Sequence, residues 1–212
     1  MLFRILVVIL IAVSVAWVML NIRRGIIMPA AIWKKIKNEF RIFKNLKGDS
    51  TIKFFTRFRK MIYLLTMTLF LILAVTSYLQ IVMTGGPLSG WLLIIHVSVA
   101  PFFAISLMMA ILLWAHLRRF DQQDWQYLQQ VVGKKKIPAI LAEKNDVWEK
   151  LNFWLFMVSA IPAILSIIFQ LYPVFDTDGM KFLLQVHRYS TLILFILVLN
   201  HGRWLVKQMN QN

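Results

Sequence analysis

The chain has 212 residues, is 59% hydrophobic and has a positive mean hydropathy of +0.68. That composition is too apolar for an ordinary water-soluble domain of this length. The formal charge of +15 is accompanied by no cysteine, which excludes disulfides, cysteine-held iron–sulfur clusters and thioether attachment through a Cys-x-x-Cys-His motif.

A membrane-spanning helix needs about 20 predominantly apolar residues. Five stretches meet that length: 2–22, 61–84, 91–117, 151–172 and 181–206. They predict an all-α integral membrane protein of five spans, organised as a transmembrane anchor at 1–22, a basic segment at 23–60 and a four-helix unit at 61–207. The apolar run of the first span, Ile5 to Leu20, is longer than the core of a typical secretory signal. It is followed by Leu20-Asn21-Ile22-Arg23-Arg24, without a small-residue cleavage pattern, so a retained anchor is expected. Between spans one and two, Trp33, Ile36, Phe40, Phe43 and Leu46 recur at helical spacing, with Lys34, Lys35, Lys37, Arg41 and Lys44 around them. That pattern reads as a basic amphipathic helix on the lipid surface, or as a soluble hairpin packed under the spans.

The charge is distributed unevenly along the chain. Residues 23–60 carry twelve Lys or Arg and residues 118–150 carry seven more. The other connections are the uncharged Thr84-Gly85-Gly86-Pro87-Leu88-Ser89-Gly90 and a loop with Asp176, Asp178 and Lys181. Positive charge marks the cytoplasmic side, so the N-terminus is expected outside and the C-terminus inside, which agrees with five spans. Topology accounts for the basic charge without a nucleic-acid partner. In the 118–150 connection, Trp125, Tyr127 and Trp148 suit a membrane–water boundary, and Gly133 and Pro138 bracket a turn-prone stretch. Asp121 and Asp124 there are candidates for a proton path or for simple solvated carboxylates. Pro162 is expected to bend the fourth span, and Met108 and Met109 are read as packing residues.

The polar residues that stand out are four histidines, His96, His116, His187 and His201, all within or at the ends of two apolar segments. Ionisable groups at membrane depth are costly and point to function. Histidine is a common axial ligand of haem iron, so the pattern suggests haem held between helices. His187 and His201 are 14 residues apart. Fourteen residues turn about 1400°, about 40° short of four full turns, and rise about 21 Å. The two therefore share a face, one toward each end of the span, with Ser190, Thr191, Leu194 and Val198 between them, as two stacked haem layers would require. His96 and His116 lie 20 residues apart, which sets them about 200° apart on a straight helix. Pro101 between them can disturb that register.

His187-Arg188-Tyr189-Ser190 with the apolar run to His201 resembles the fourth core helix of the membrane cytochrome b superfamily. Gly86-Pro87-Leu88-Ser89-Gly90-Trp91 running to His96, and Trp114-Ala115-His116-Leu117-Arg118-Arg119-Phe120, resemble its cytochrome b/b6-domain proteins. The superfamily includes formate dehydrogenase gamma subunits and the cytochrome b subunits of hydrogenases and thiosulfate reductases. The likeness extends over about residues 60–207. The gamma subunits take a ligand from the first core helix, whereas residues 61–84 here hold no histidine, so His116 fills that role or the second haem is absent. The resemblance implies a respiratory electron-transfer subunit of a bacterial inner membrane, embedded in lipid and carrying haem b, two per chain. It implies His96 with His187 at the outer haem, His116 with His201 at the inner one, and quinone as the substrate. The partner implied is a periplasmic-side redox subunit: a multihaem cytochrome c, an iron–sulfur protein or a molybdenum protein. Arg188 would meet propionates of the outer haem, and Arg118, Arg119 and Arg203 those of the inner one, or these arginines simply snorkel to the interface. The alternatives are a stand-alone transmembrane ferric or quinone reductase and a non-haem membrane anchor subunit.

The orientation is checked by single cysteines, Asp49→Cys and Asp176→Cys, labelled with an impermeant thiol reagent. Asp176→Cys is expected to react on intact cells and Asp49→Cys only after the membrane is opened; the opposite pattern reverses the topology.

Overall fold

The fold, taken from a computed structural model, is described for residues 2–24, 51–133, 146–172 and 175–209. The amphipathic stretch at 32–46 and the lysines Lys134, Lys135, Lys136 and Lys144 lie outside these residues. The described elements are all helices: α1 Leu2–Arg23, α2 Thr51–Thr84, α3 Gly90–Trp114, α4 Gln122–Val132, α5 Val147–Leu171 and α6 Thr177–Met209. Five of them, all but α4, are long and apolar enough to cross a membrane. Within each span only 6% to 33% of the residues are buried by the protein itself. Large apolar side chains such as Leu71, Phe102, Met108 and Leu112 are exposed along their length. Surfaces of that kind are covered by lipid in a folded protein, and the chain is a five-span, all-α membrane protein.

Helix lengths differ from the hydropathy reading at informative places. α2 has 34 residues, about 51 Å at about 1.5 Å each. A hydrocarbon core of about 30 Å accommodates only part of that. Its first turns carry Arg57, Arg59 and Lys60 beside exposed Phe54 and Phe55, and Phe54 stacks on Phe58 with centroids 6.3 Å apart. α3 ends at Trp114, and the chain turns through residues 115–118, closed by Leu117 and Arg118 amides donating to the Trp114 carbonyl. Both internal prolines, Pro101 in α3 and Pro162 in α5, are carried within unbroken helix. Met108, expected to pack inside, faces outward at 66% exposure, because the buried side of α3 runs through Phe103, Ser106, Leu107 and Ala110 instead.

The chain forms two compact units, one comprising Met1–Leu113 with Leu205–Asn212 and the other Trp114–Trp204. In the first, α2 and α3 are antiparallel. Phe70 meets Phe103 with ring centroids 5.9 Å apart, and Thr76 meets His96, so the paired residue numbers rise on one helix as they fall on the other. Ile62, Thr66, Phe70, Ala74 and Tyr78, each four residues after the last, form the buried stripe of α2. α1 buries Val7 alone and is tied to the far end of α2 by Arg4, whose Nη2 donates to the Val82 carbonyl at 3.1 Å. Arg4 thus places a positive charge at the carbonyl end of α2, where the helix dipole favours it. Gly85, at φ +67°, ends α2 in the left-handed region, and a Cβ there would lie 2.5 Å from Arg4 Nη1. Glycine at this position lets the turn and the guanidinium share the space.

In the second unit α5 and α6 are antiparallel, with Ala163 facing His187 and Asn152 facing Asn200. α4 opens with a capping box. The Asp124 amide donates to the Asp121 carboxylate at 2.9 Å, and the Asp121 amide donates to Asp124 Oδ2 at 2.7 Å. Asp124 is 1% exposed and also receives Lys150 Nζ at 2.7 Å. It is therefore not the solvated carboxylate that its place in a polar connection suggested. Lys150 in turn reaches Asp146 at 3.3 Å, so one buried ammonium joins α4 to the head of α5. Trp148 Nε1 donates to the hydroxyl of the buried Tyr127 at 3.4 Å across the same contact.

Removing one member of a buried ion pair leaves the other charged and unpaired, at a cost of about 3–5 kcal/mol. Lys150→Met is expected to lower the unfolding midpoint in detergent sharply, and Lys150→Met with Asp124→Asn to recover a substantial part of that loss. Equal midpoints for the single and double variants contradict this.

Candidate functional site

The four histidines occupy different settings. His96 sits on α3, half-buried, with Nδ1 3.0 Å from Thr76 Oγ1. The Thr76 hydroxyl lies 2.8 Å from the Ile72 carbonyl and 3.0 Å from that of Leu73, so its single proton is donated back to its own helix. The hydroxyl oxygen then accepts from His96, and the ring proton is on Nδ1. His187 on α6 gives the same result by a different partner. Its Nδ1 lies 2.8 Å from the carbonyl of Ala163 on α5, and a carbonyl only accepts. Ala163 is 5% exposed, and its carbonyl also receives Ser166 Oγ at 3.0 Å, which holds the acceptor inside α5.

A neutral imidazole that donates through Nδ1 carries its lone pair on Nε2. This is the usual arrangement of a metal-ligating imidazole, whose second nitrogen donates to a carbonyl or hydroxyl that fixes its tautomer and tilt. Thr76 and Ala163 were not legible as partners in the sequence. They lie 20 and 24 residues from their histidines, and neither residue type carries a signal of its own.

His201 is half-buried on α6, with its ring stacked near that of Trp204 at a centroid distance of 6.1 Å and an interplanar angle of 23°. α6 is continuous from His187 to His201, so the 14-residue spacing acts as helical spacing. Between them Ser190 and Leu194 are buried, and the Thr191 hydroxyl donates to the Arg188 carbonyl at 2.9 Å. His116 lies beyond the end of α3, exposed in the turn, so an angular offset from His96 counted along a straight helix does not describe it.

The arginines are also distinct. Arg118 donates to Glu149 Oε2 at 2.5 Å, and its carbonyl accepts Trp154 Nε1 at 2.8 Å. Its guanidinium is thus committed to a carboxylate of α5. Arg188 is half-buried on α6, while Arg119 and Arg203 are exposed. Comparisons with protein-family models, curated proteins and solved structures found no match to this chain.

Among the described residues no group of three or more His, Asp or Glu side chains is placed to hold a bare metal ion. What the helices do offer is separate imidazoles, two of them with Nε2 made the ligand nitrogen by a helix-borne acceptor. Each imidazole so oriented can present one ligand nitrogen.

Proposed function

We propose that this multi-pass membrane protein is a haem b electron-transfer subunit. It would carry electrons between the membrane quinone pool and a redox partner on the non-cytoplasmic side, a multihaem cytochrome c, an iron–sulfur protein or a molybdenum protein. The observation that carries this reading is the pair of Nδ1 hydrogen bonds, His96 to Thr76 and His187 to Ala163. Each fixes the tilt of an imidazole inside a span, as the second-nitrogen hydrogen bond of a ligating histidine does.

His96, His187 and His201 would be axial ligands, with His116 the fourth. The likeness of residues 60–207 to the membrane cytochrome b superfamily supports the same assignment. Bound haem would supply a reversible one-electron centre. The chain would supply ligation, burial and the separation of about 21 Å along α6 that lets two centres divide the membrane thickness. Arg188 and Arg203 would face propionates near the two ends of α6. Ligation of each haem by two imidazoles would leave no site for small gases and would favour electron passage.

Protein purified in detergent is expected to hold non-covalent haem b, about two per chain, with the narrow reduced absorption of a six-coordinate cytochrome. His187→Ala is expected to lose one spectral component. Thr76→Val, which removes the acceptor and nothing else of size, is expected to weaken haem retention about 10–100-fold with the fold intact. A colourless, folded protein contradicts the proposal.

A further inference from the structure

The second unit holds an acidic ladder that haem ligation does not use. Asp146, Glu149 and Asn152 follow one another along the start of α5 at three-residue intervals. Each step rises about 4.5 Å and turns back about 60°, so the three occupy one side of the helix. Exposure falls on entering the span. The side chain of Asp146 is 44% exposed and that of Glu149 is 7% exposed. Asn152 then meets Asn200 of α6, whose Nδ2 donates to Asn152 Oδ1 at 3.2 Å, one residue before His201.

Two oxygens of the ladder, Asp146 Oδ1 and Glu149 Oε1, are buried without a hydrogen-bond partner. Their sister oxygens are taken by Lys150 and by Arg118. Native structures rarely leave buried acceptors unsatisfied, and an orphaned carboxylate oxygen calls for a proton or a water. Among the described residues, the charged groups against Glu149 are Arg118 from the turn after α3 and Asp146 one turn earlier on its own helix. Asn152, one turn beyond Glu149, meets Asn200 beside His201, which brings the carboxylate to the histidine end of α6.

We propose that Glu149 is a redox-linked proton site, loaded from the basic face of the protein through Asp146. The inference rests on the haem reading. When an electron is taken up at the His201 end from a quinol or a chemical reductant, one proton from water forms an O–H bond at Glu149 Oε1. A carboxylate becomes a carboxylic acid, and the added negative charge is offset. On reoxidation that bond breaks and the proton returns to water or passes to a bound quinone. Arg118 holds Oε2 throughout, which leaves Oε1 as the proton-exchanging oxygen.

The test uses the full-length haem-loaded protein in liposomes, cycled between dithionite and ferricyanide. Infrared difference spectra and the pH dependence of the haem midpoint potentials are both recorded. Reduction of the wild type is expected to produce a protonated-carboxyl C=O band that shifts in D2O, with one haem potential falling as pH rises. Glu149→Gln is expected to keep its haem content, lose that band and flatten the pH dependence of that potential. Glu149→Asp is expected to retain both, with the band displaced. Glu149→Gln with an unchanged band and slope overturns the assignment. If Glu149→Gln does not fold, a wild type without a carboxyl band overturns it equally, and a band displaced by Glu149→Asp supports it. A haem-bearing protein with no such band removes the proton site alone, whereas a folded protein without haem removes the electron-transfer reading and the proton site with it.

Discussion

A polar group inside hydrocarbon must be answered from within the protein, and most of the described structure follows from that requirement. Hydroxyls in the spans turn back onto their own helices: Ser14 to the Leu10 carbonyl at 2.6 Å, Thr66 to Ile62 at 2.8 Å, Ser106 to Phe103 at 2.9 Å. These bonds satisfy a donor locally and bring nothing together. The polar residues that reach another helix are fewer, and they define how the spans meet. Thr76 with His96, Ala163 with His187 and Asn152 with Asn200 are contacts between antiparallel neighbours in the membrane-spanning part of their helices. Apolar side chains fill the remaining contact area and gain little by choosing one another over lipid, so the polar pairs contribute most of the specificity.

Charge follows the same rule at the ends of the spans. Asp124 and Lys150 are both buried, and each makes more than one contact to an oppositely charged or dipolar partner. The cost of desolvating them is met by the capping box of α4 and by Asp146, which converts a connection that is polar in sequence into a rigid cap on α5. Arg118 and Glu149 close a second bridge beside it. α4 is thereby held against α5 in a way that its own composition, mostly glutamine and valine, would not achieve.

The five spans were legible because length and hydropathy are properties of composition alone. Their ends were less so. Residues 115–117 continue the apolar run with only His116 interrupting it, yet the helix stops at Trp114 where the last amides fold back onto its carbonyl, and His116 is left in the turn. α2 begins before the apolar run because Thr56, Arg57 and Lys60 are as compatible with helix as with loop. α4 had a readable signal in Asp121 followed three residues later by Asp124, the spacing of a capping box. The histidines were legible as unusual residues, but their orienting partners were not. A threonine and an alanine carbonyl separated by 20 and 24 residues from the histidines they touch leave no local pattern.

The central claim is that imidazoles with their Nδ1 protons held by helix-borne acceptors ligate haem through Nε2. Low-temperature electron paramagnetic resonance of the oxidised, purified protein tests it most directly, because the ferric signal reports the axial ligands themselves. The account predicts low-spin ferric signals of bis-imidazole type, altered when the sample is built with histidine labelled by 15N at the ring. A spectrum with no haem signal, or with only high-spin five-coordinate haem, contradicts it.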